Sequence, residues 1–271
     1  CMNDEAKHPP PFVLAAFVLV ALFLLLACER APEALFSATS ASGVAPLKVT
    51  FTDQSKNKPL QWEWDFGDGS TGTEQNPSHT YTKVGTYTVK FTATNKKGFN
   101  AAEKAALITV SPGALDRLAV EPSSATLQPK GEQKFSVKAY DAYNNEIKDF
   151  QASWKVAKGG GDISTGAFTA GIKAGSYSET VQVEVVKDGV TRTASASITV
   201  VPGPLDKVTL VPTSANLQVG GRQQYQAKAV DSFGNEIQDA TIRWDATAGT
   251  IDSKGLFIAG NKASVYEKGV T

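Results

Sequence analysis

The sequence has only two cysteines and two histidines in 271 residues, and its 27 basic side chains balance its 27 acidic ones. These cysteines and histidines are too few for a zinc cluster or for a small fold held together by disulfides. A net charge of zero also lacks the clustered positive charge with which nucleic-acid-binding proteins displace counterions, so we expect no nucleic-acid partner. The remaining composition, 41% hydrophobic and 20% charged, is typical of a folded soluble chain.

One run of sixteen residues, 12–27, contains no polar side chain at all. As a helix it would be about 24 Å long at ~1.5 Å per residue, which is shorter than the ~30 Å hydrocarbon core of a membrane. It is closer to the apolar region of a secretory signal, normally ~7–15 residues long. We therefore predict that residues 1–28 form an N-terminal hydrophobic signal or anchor helix, and that the rest of the chain is exported.

The run ends in the sequence LLAC, residues 25–28, which resembles the lipobox of bacterial lipoproteins. In that family a small residue precedes a cysteine that is lipidated and becomes the new N-terminus, and a thiolate is a nucleophile suited to accepting the lipid. The resemblance implies lipidation of Cys28, a linker over residues 29–34 and anchorage at the cell envelope. The alternative is an uncleaved single-pass anchor, because the leader carries two acidic residues and one lysine where a positive segment is usual.

Residues 35–110 have the pattern of a β-domain. Leu47, Val49 and Phe51 alternate with polar neighbours, which places one set of side chains on a buried face. The motifs WDFGDG at 64–69, NPSHTY at 76–81 and GTYTV at 85–89 resemble the PKD (polycystic kidney disease) domain. The resemblance implies a small Ig-like β-sandwich over residues 35–110, in which the motif residues form core and turns.

The sequence after residue 110 contains one unit written twice. The segment PGALD at 112–116 recurs as PGPLD at 202–206, an offset of 90 residues. The motifs VPTSANL at 211–217, DSFGN at 231–235 and GLF at 255–257 resemble bacterial Ig-like domains of the invasin and intimin type. The resemblance implies two further β-sandwiches, a first copy over residues 113–201 and a second copy over residues 203–271.

The two copies differ at one turn and at their ends. Asn144 stands in the first copy where the second has Gly234, and Asn tolerates the left-handed conformation that such a turn requires. The first copy runs 29 residues from Gly171 to Val200, whereas the second has 11 residues after Gly260. We expect an open sheet edge and an uncovered apolar face there, and interpret the sequence as the N-terminal part of a longer protein. The predicted fold class is all-β, with three tandem sandwiches, the last one truncated.

No motif indicates catalysis. Asp65 and Asp68 offer oxygen ligands for calcium, which takes 6–8 of them, but Asp beside Gly is also ordinary turn chemistry. The glycine-rich residues 158–162 lack the ending of a phosphate-binding loop, and His79 has no second histidine in the folded part. We predict that the chain is not an enzyme and has no catalytic residue, metal site or cofactor, with calcium as the alternative at the Asp65–Asp68 turn.

Aromatic residues offer a second kind of site, because their faces suit glycans. We instead predict core positions for all four tryptophans, since each lies in a strand with an apolar inner face. They are Trp62, Trp64, Trp154 and Trp244. Tyr140 and Tyr143 point outward in the pattern and are the better candidates for contact with a partner.

Together these features predict a non-catalytic, cell-envelope-anchored modular protein outside the cytoplasm. Its domains would act as a stalk, as an adhesion protein or as a scaffold that binds protein or glycan. The expected partners are the membrane, through the N-terminal lipid or hydrophobic helix, and an unidentified protein or glycan. The alternative is the N-terminal spacer or substrate-docking part of a larger secreted hydrolase, because PKD and Ig-like modules often accompany such enzymes.

Overall fold

The computed structural model describes residues 30–262 and 264–271, and the regular elements among them are all β-strands. This confirms the all-β prediction. The chain divides into two compact units between Gly113 and Ala114. The predicted signal segment and Cys28 lie outside the described residues, and no helix within those residues is long and apolar enough to cross a membrane.

The first unit is a sandwich of two sheets. Strands β1, β3 and β6 form the smaller sheet in the order β1-β3-β6, and the larger sheet has the order β2-β8-β7-β4-β5. All pairs are antiparallel except β2 with β8. The strands are β1 (Phe36–Ala38), β2 (Ser42–Val44), β3 (Leu47–Asp53), β4 (Gln61–Asp65), β5 (Thr71–Gly72), β6 (Ser78–Tyr81), β7 (Gly85–Asn95) and β8 (Gly98–Ser111).

Aromatic side chains fill the space between these two sheets. Val49 and Phe51 on β3 are fully buried while Lys48 between the strand's inner positions is exposed, as the alternation predicts. Trp64 on β4 is also fully buried and stacks on Phe91 of β7 with the ring centroids 4.1 Å apart. A core built from such rings needs no disulfide, because each large side chain removes about 150–250 Å² from water.

The first copy of the repeat lies in the second unit. Its sheets have the orders β10-β18-β17-β14, β11-β16-β15 and β13-β12-β9. Val181, Val183 and Val185 on β17 share one face of the four-stranded sheet and are buried there. The strands are β9 (Leu115–Glu121), β10 (Ser124–Leu127), β11 (Glu132–Lys134), β12 (Ser136–Asp141), β13 (Glu146–Ile147), β14 (Ala152–Val156), β15 (Gly161–Ser164), β16 (Ala167–Ala170), β17 (Gly175–Lys187) and β18 (Val190–Val200).

The second copy retains only part of this pattern. Its sheets are β19-β21 and β20-β23-β22, which correspond to β9-β12 and β11-β16-β15 of the first copy. Residues 214–217 and 242–246, the counterparts of β10 and β14, form no strand and make one isolated bridge, Ala246 with Val270. The strands are β19 (Leu205–Val211), β20 (Arg222–Gln224), β21 (Gln226–Asp231), β22 (Gly249–Ile251) and β23 (Leu256–Ala259).

Candidate functional site

The WDFGDG segment forms the turn that follows β4 in the first unit. Gly67 and Gly69 have φ angles of 84° and 90°, in the left-handed region that favours glycine. A Cβ on Gly67 would lie 2.3 Å from the backbone oxygen of Thr88, so space as well as conformation requires glycine there. The Asp65 carboxylate accepts a hydrogen bond from the Gly67 amide at 2.9 Å. The motif is therefore a structural turn, in agreement with the role that its pattern predicts.

The second aspartate of this turn is paired with the histidine of the next motif. Asp68 Oδ2 lies 2.7 Å from His79 Nε2, and Asp68 Oδ1 accepts a hydrogen bond from the Ser70 amide at 3.0 Å. The His79 ring stacks on Phe66 with the centroids 4.4 Å apart and the planes 2° from parallel. Burial opposes ionisation of Asp68, but its bonds to His79 and Ser70 outweigh burial and hold its pKa below the usual range. Sequence reasoning gave His79 a structural role but did not identify this pair.

These contacts bear on the calcium alternative. Asp65 and Asp68 already accept hydrogen bonds from the turn and from His79. Among residues 30–262 and 264–271, no three Asp, Glu, His or Cys side chains converge as a metal site would require. The geometry therefore gives calcium binding no support at this turn, and the alternative stays an untested prediction.

Trp62 differs from Trp64 although both lie on β4. The Trp64 side chain is fully buried and its Nε1 donates to the backbone oxygen of Glu74 at 2.9 Å, as a core position predicts. Trp62 is only partly buried, and its Nε1 donates to Asp53 Oδ2 at 2.8 Å. The same oxygen accepts a hydrogen bond from Gln75 Nε2 at 3.2 Å. Trp62 is therefore a fixed aromatic side chain with part of its surface in solvent.

The charge that holds Trp62 is itself well stabilised. Burial opposes ionisation of Asp53, but hydrogen bonds from Ser55, Trp62 and Gln75 outweigh that effect and lower the pKa of the carboxyl group. Asp53 therefore remains charged at neutral pH and keeps accepting the indole hydrogen bond.

A groove of about 480 Å³ lies beside Trp62 at the edge of the larger sheet. It forms because β5 has two residues and pairs only with Trp64 and Asp65, so within the described residues the first half of β4 pairs with β7 alone. Leu60, at the mouth of the groove, is 57% exposed. The residues that line the groove include Leu60, Trp62, Glu63, Thr71, Gly72 and Thr94. Sequence reasoning missed this groove, because its only signal is the short strand after the WDFGDG turn.

The repeat places its aromatic candidates differently. Trp154 is partly buried against the core of the first copy, and Trp244 is also partly buried, with its ring close to the space that a Cβ on Gly255 would occupy. The guanidinium of Arg117 lies 4.2 Å from the ring centroid of Tyr140. Tyr143 is 37% exposed. Tyr140 and Tyr143 thus stay contact candidates.

The glycine-rich residues 158–162 are a packed connection into β15. A Cβ on Gly160 would lie 2.7 Å from the ring of Tyr177, and one on Gly161 would lie 2.1 Å from the backbone oxygen of Thr169. Thr180 Oγ1 donates a hydrogen bond to the backbone oxygen of Gly159. Close packing therefore requires Gly160 and Gly161, and the positive φ of 79° at Gly159 favours glycine there, which accounts for all three without a phosphate.

Residues 30–110 match the family model of the PKD domain, and this segment of the chain is a PKD domain. A microbial collagenase of Vibrio alginolyticus is 31% identical over 109 residues, which are 39% of this chain and 13% of the collagenase. The chain thus spans only a small part of that relative. The crystal structure of the PKD1 domain of Vibrio anguillarum Epp is 31% identical, with a TM-score of 0.27, covering 31% of this chain and 99% of that one.

The repeat has structural neighbours of another kind. Invasin, a bacterial integrin-binding protein, is 14% identical with a TM-score of 0.38, over 85% of this chain and 55% of invasin. The likeness is too distant to carry an argument about function. The Ig-like sandwich of the first copy is shown by its own facing sheets and the buried residues between them.

Proposed function

We propose that this chain is an exported, non-catalytic modular protein of the cell envelope, whose β-domains act as a stalk and as a scaffold that binds protein or glycan. The observation that carries this proposal is that the aromatic, acidic and histidine side chains of the PKD motifs have structural roles. Trp64 and Phe91 pack the core, and Asp65, Asp68 and His79 hold a turn, so they are already engaged in structure. Within the described part of the PKD segment, the groove beside Trp62 is a surface that remains open to a partner.

The groove has the properties of a contact surface rather than of a reactive site. Asp53 fixes the Trp62 indole through the 2.8 Å hydrogen bond, so little side-chain freedom is lost when a partner packs against it. Leu60 adds exposed apolar area, and the hydroxyl groups of Thr71 and Thr94 lie in the same lining. Interfaces commonly combine an aromatic anchor with such a polar rim.

A co-sedimentation experiment tests the groove. The full chain is mixed with insoluble collagen fibres, chitin or cellulose, and the bound fraction is measured. We expect binding to at least one polymer and a loss of about tenfold in Trp62→Ala and in Leu60→Ser. Val44→Ser is the matched control, because Val44 is 60% exposed on β2 at the other edge of the same sheet. Absence of binding to all three polymers, or binding by both groove variants that equals that of the parent, would overturn the groove as the contact surface.

The second candidate is an accessory part of a larger secreted hydrolase, either a spacer or a substrate-docking module. It is favoured by one observation, the match of residues 30–110 to a domain that also occurs in a microbial collagenase. Sequencing the gene past the codon for Thr271 separates the candidates. A hydrolase motif there would support the accessory role, and further Ig-like copies would support the stalk.

Anchorage at the envelope is a separate part of the proposal and rests on Cys28. Cells that express the full chain are labelled with radioactive palmitate, and the label on the chain is counted. Cys28→Ser should abolish the labelling, whereas the control Cys1→Ser should leave it unchanged. Equal labelling of Cys28→Ser and the parent, or no labelling of the parent, would remove the lipid anchor.

A further inference from the structure

The turn between β21 and the following residues of the second copy is held by a buried carboxylate. Asp231 is 1% exposed and lies at the end of β21. Its Oδ1 accepts hydrogen bonds from the amides of Phe233, at 2.9 Å, and of Asn235, at 2.8 Å. Its Oδ2 accepts one from the Asn235 side chain at 2.8 Å. These bonds close the turn within the second copy.

The same turn also contacts residues outside its own copy. Asn235 Oδ1 accepts a hydrogen bond from the Ala174 amide at 2.8 Å, and Asn235 Nδ2 donates to the Ile172 backbone oxygen at 2.8 Å. Ile172 and Ala174 belong to the loop before β17 of the first copy. One side-chain amide thus satisfies a backbone donor and a backbone acceptor of the preceding domain, as a strand partner would.

Two further contacts join the copies at this place. Asp231 Oδ2 accepts a hydrogen bond from the amide of Gly203, in the connection between the copies, at 2.8 Å. The ammonium group of Lys130 in the first copy lies 5.2 Å from the ring centroid of Phe233, within the range of a cation–π contact. The turn therefore contacts the connecting segment and two separate loops of the first copy.

The equivalent turn of the first copy is closed by the same kind of internal bonds. Asp141 Oδ1 accepts from the amides of Tyr143 and Asn145 at 2.8 and 2.9 Å, and Asp141 Oδ2 accepts from Asn145 Nδ2 at 2.8 Å. The internal bonds are thus the same in both turns. The bonds from Asn235 to Ile172 and Ala174 lie outside this shared internal set and reach the other copy, so they serve the junction between the copies.

We propose that the turn from Asp231 to Asn235 is an interdomain latch, which couples the two Ig-like copies so that they move as one body. Asp231 holds the connecting segment through Gly203, and Asn235 holds the loop of the first copy. The latch does not depend on whether the chain is a stalk or an accessory module. It gives the junction a defined angle, because three side chains fix the connection at separated points.

Amide hydrogen exchange of the full chain tests the latch residue by residue. In Asn235→Ala, exchange of the Ala174 amide should rise roughly three- to tenfold, the effect of losing one partly buried hydrogen bond. The amide of Phe233, bonded to Asp231, reports whether the turn itself is intact and should stay protected. Asn216→Ala is the control, because it removes an exposed side-chain amide from the same copy. Unchanged exchange at Ala174 would overturn the latch.

A second variant approaches the junction from the other copy and covers the case in which Asn235→Ala unfolds the turn. Ala174→Pro removes the donor to Asn235 but leaves every residue of the turn in place. Spin labels at Lys155 and Lys207, both exposed, report the distance between the copies once the native cysteines are replaced by serine. We expect Ala174→Pro to broaden the distance distribution. A distribution as narrow as that of the parent would contradict the coupling.

Discussion

The two copies of the repeat share a sequence pattern but not a complete set of strands, and the difference shows what each strand depends on. The segments equivalent to β9, β11, β12, β15 and β16 form strands in both copies, because they pair with one another inside the copy. The segments equivalent to β10 and β14 form strands only in the first copy. There β10 pairs with β18 and β14 pairs with β17. Among the described residues of the second copy, the segment equivalent to β14 makes only one bridge, Ala246 with Val270.

The same difference is visible in the cores. Phe168 of the first copy is 1% exposed, whereas its counterpart Phe257 is 5% exposed and borders an open groove of about 540 Å³. Phe135 and its counterpart Tyr225 are 2% and 9% exposed. In the first copy the covering sheet therefore buries these aromatic side chains more completely and stabilises the fold by the apolar area it removes from water. The local sequence pattern, which is similar in the two copies, does not show this difference.

The largest loss of stability is expected where the covering sheet of the first copy is disrupted from its buried face. Val183→Asp places a charge at a position that is 1% exposed on β17, without a partner. We expect a loss of more than about 3 kcal/mol in the free energy of unfolding, measured by guanidinium denaturation. Val186→Asp on the same strand is the control, since Val186 is 56% exposed and its replacement should change stability by less than about 0.5 kcal/mol. Similar losses in both variants would contradict this account.

Phe168 and its counterpart Phe257 allow the effect of the covering sheet to be measured at one equivalent position. Phe168→Ala should cost about 3–5 kcal/mol, the range for truncating a buried aromatic residue. Phe257→Ala should cost about half as much, because the Phe257 ring already borders open space and less of its contact area is lost. Thermal unfolding of the two variants of the full chain gives the difference. Equal losses of stability in the two variants would show that the covering sheet does not determine how much this phenylalanine stabilises its domain.

The junction between the copies should respond to acid. Burial opposes ionisation of Asp231, but bonds from Asn235, Gly203 and Phe233 outweigh it and lower the pKa of the carboxyl group to about 2. Because the folded pKa is depressed, Asp231 stabilises the folded state above about pH 4, and this contribution is lost as the pH falls towards 2. The chemical shift of the Gly203 amide should follow this titration, and Asp231→Asn should abolish it. A midpoint at the ordinary value of about 3.9 would refute the expectation.

A small effect on stability is expected at the turn position where the first copy has Asn144 and the second has Gly234. Asn144 and Gly234 have φ angles of 60° and 84°, so both occupy the left-handed region. A Cβ on Gly234 would meet nothing within 4 Å, so Gly234→Asn should change the free energy of unfolding by less than about 0.5 kcal/mol. Gly234→Val should cost more, because a β-branched residue disfavours this conformation. If thermal unfolding ranks the two variants equally, backbone conformation does not govern the turn.

The fold was predictable where the information is local. Alternation marked β3, the WDFGDG motif forms a turn as its resemblance implies, and Trp64 occupies the predicted core position. The candidate site was not predictable in the same way. Trp62 and Trp64 are two residues apart on one strand, so the alternating pattern predicts the same buried face for both. The short length of β5 leaves Trp62 beside a groove.

The hydrogen-bonded pairs that join distant segments of the chain could not be predicted from the sequence either. Asp68 with His79, and Asn235 with Ile172 and Ala174, involve residues whose own neighbours in sequence give no sign of the partner. Such contacts depend on how turns at the ends of different strands are brought together. The sequence pattern and the composition carry no information about how close two such turns lie in space.

Three features follow from local sequence alone, namely the all-β class, the repeat with its offset of 90 residues and the turn chemistry, because alternation and glycine act through neighbouring residues. Long-range packing, by contrast, sets which segments form strands in each copy, leaves Trp62 partly exposed beside a groove and makes Asn235 join the two copies. A strand needs a partner for its backbone hydrogen bonds, and that partner is supplied by residues far away in the chain.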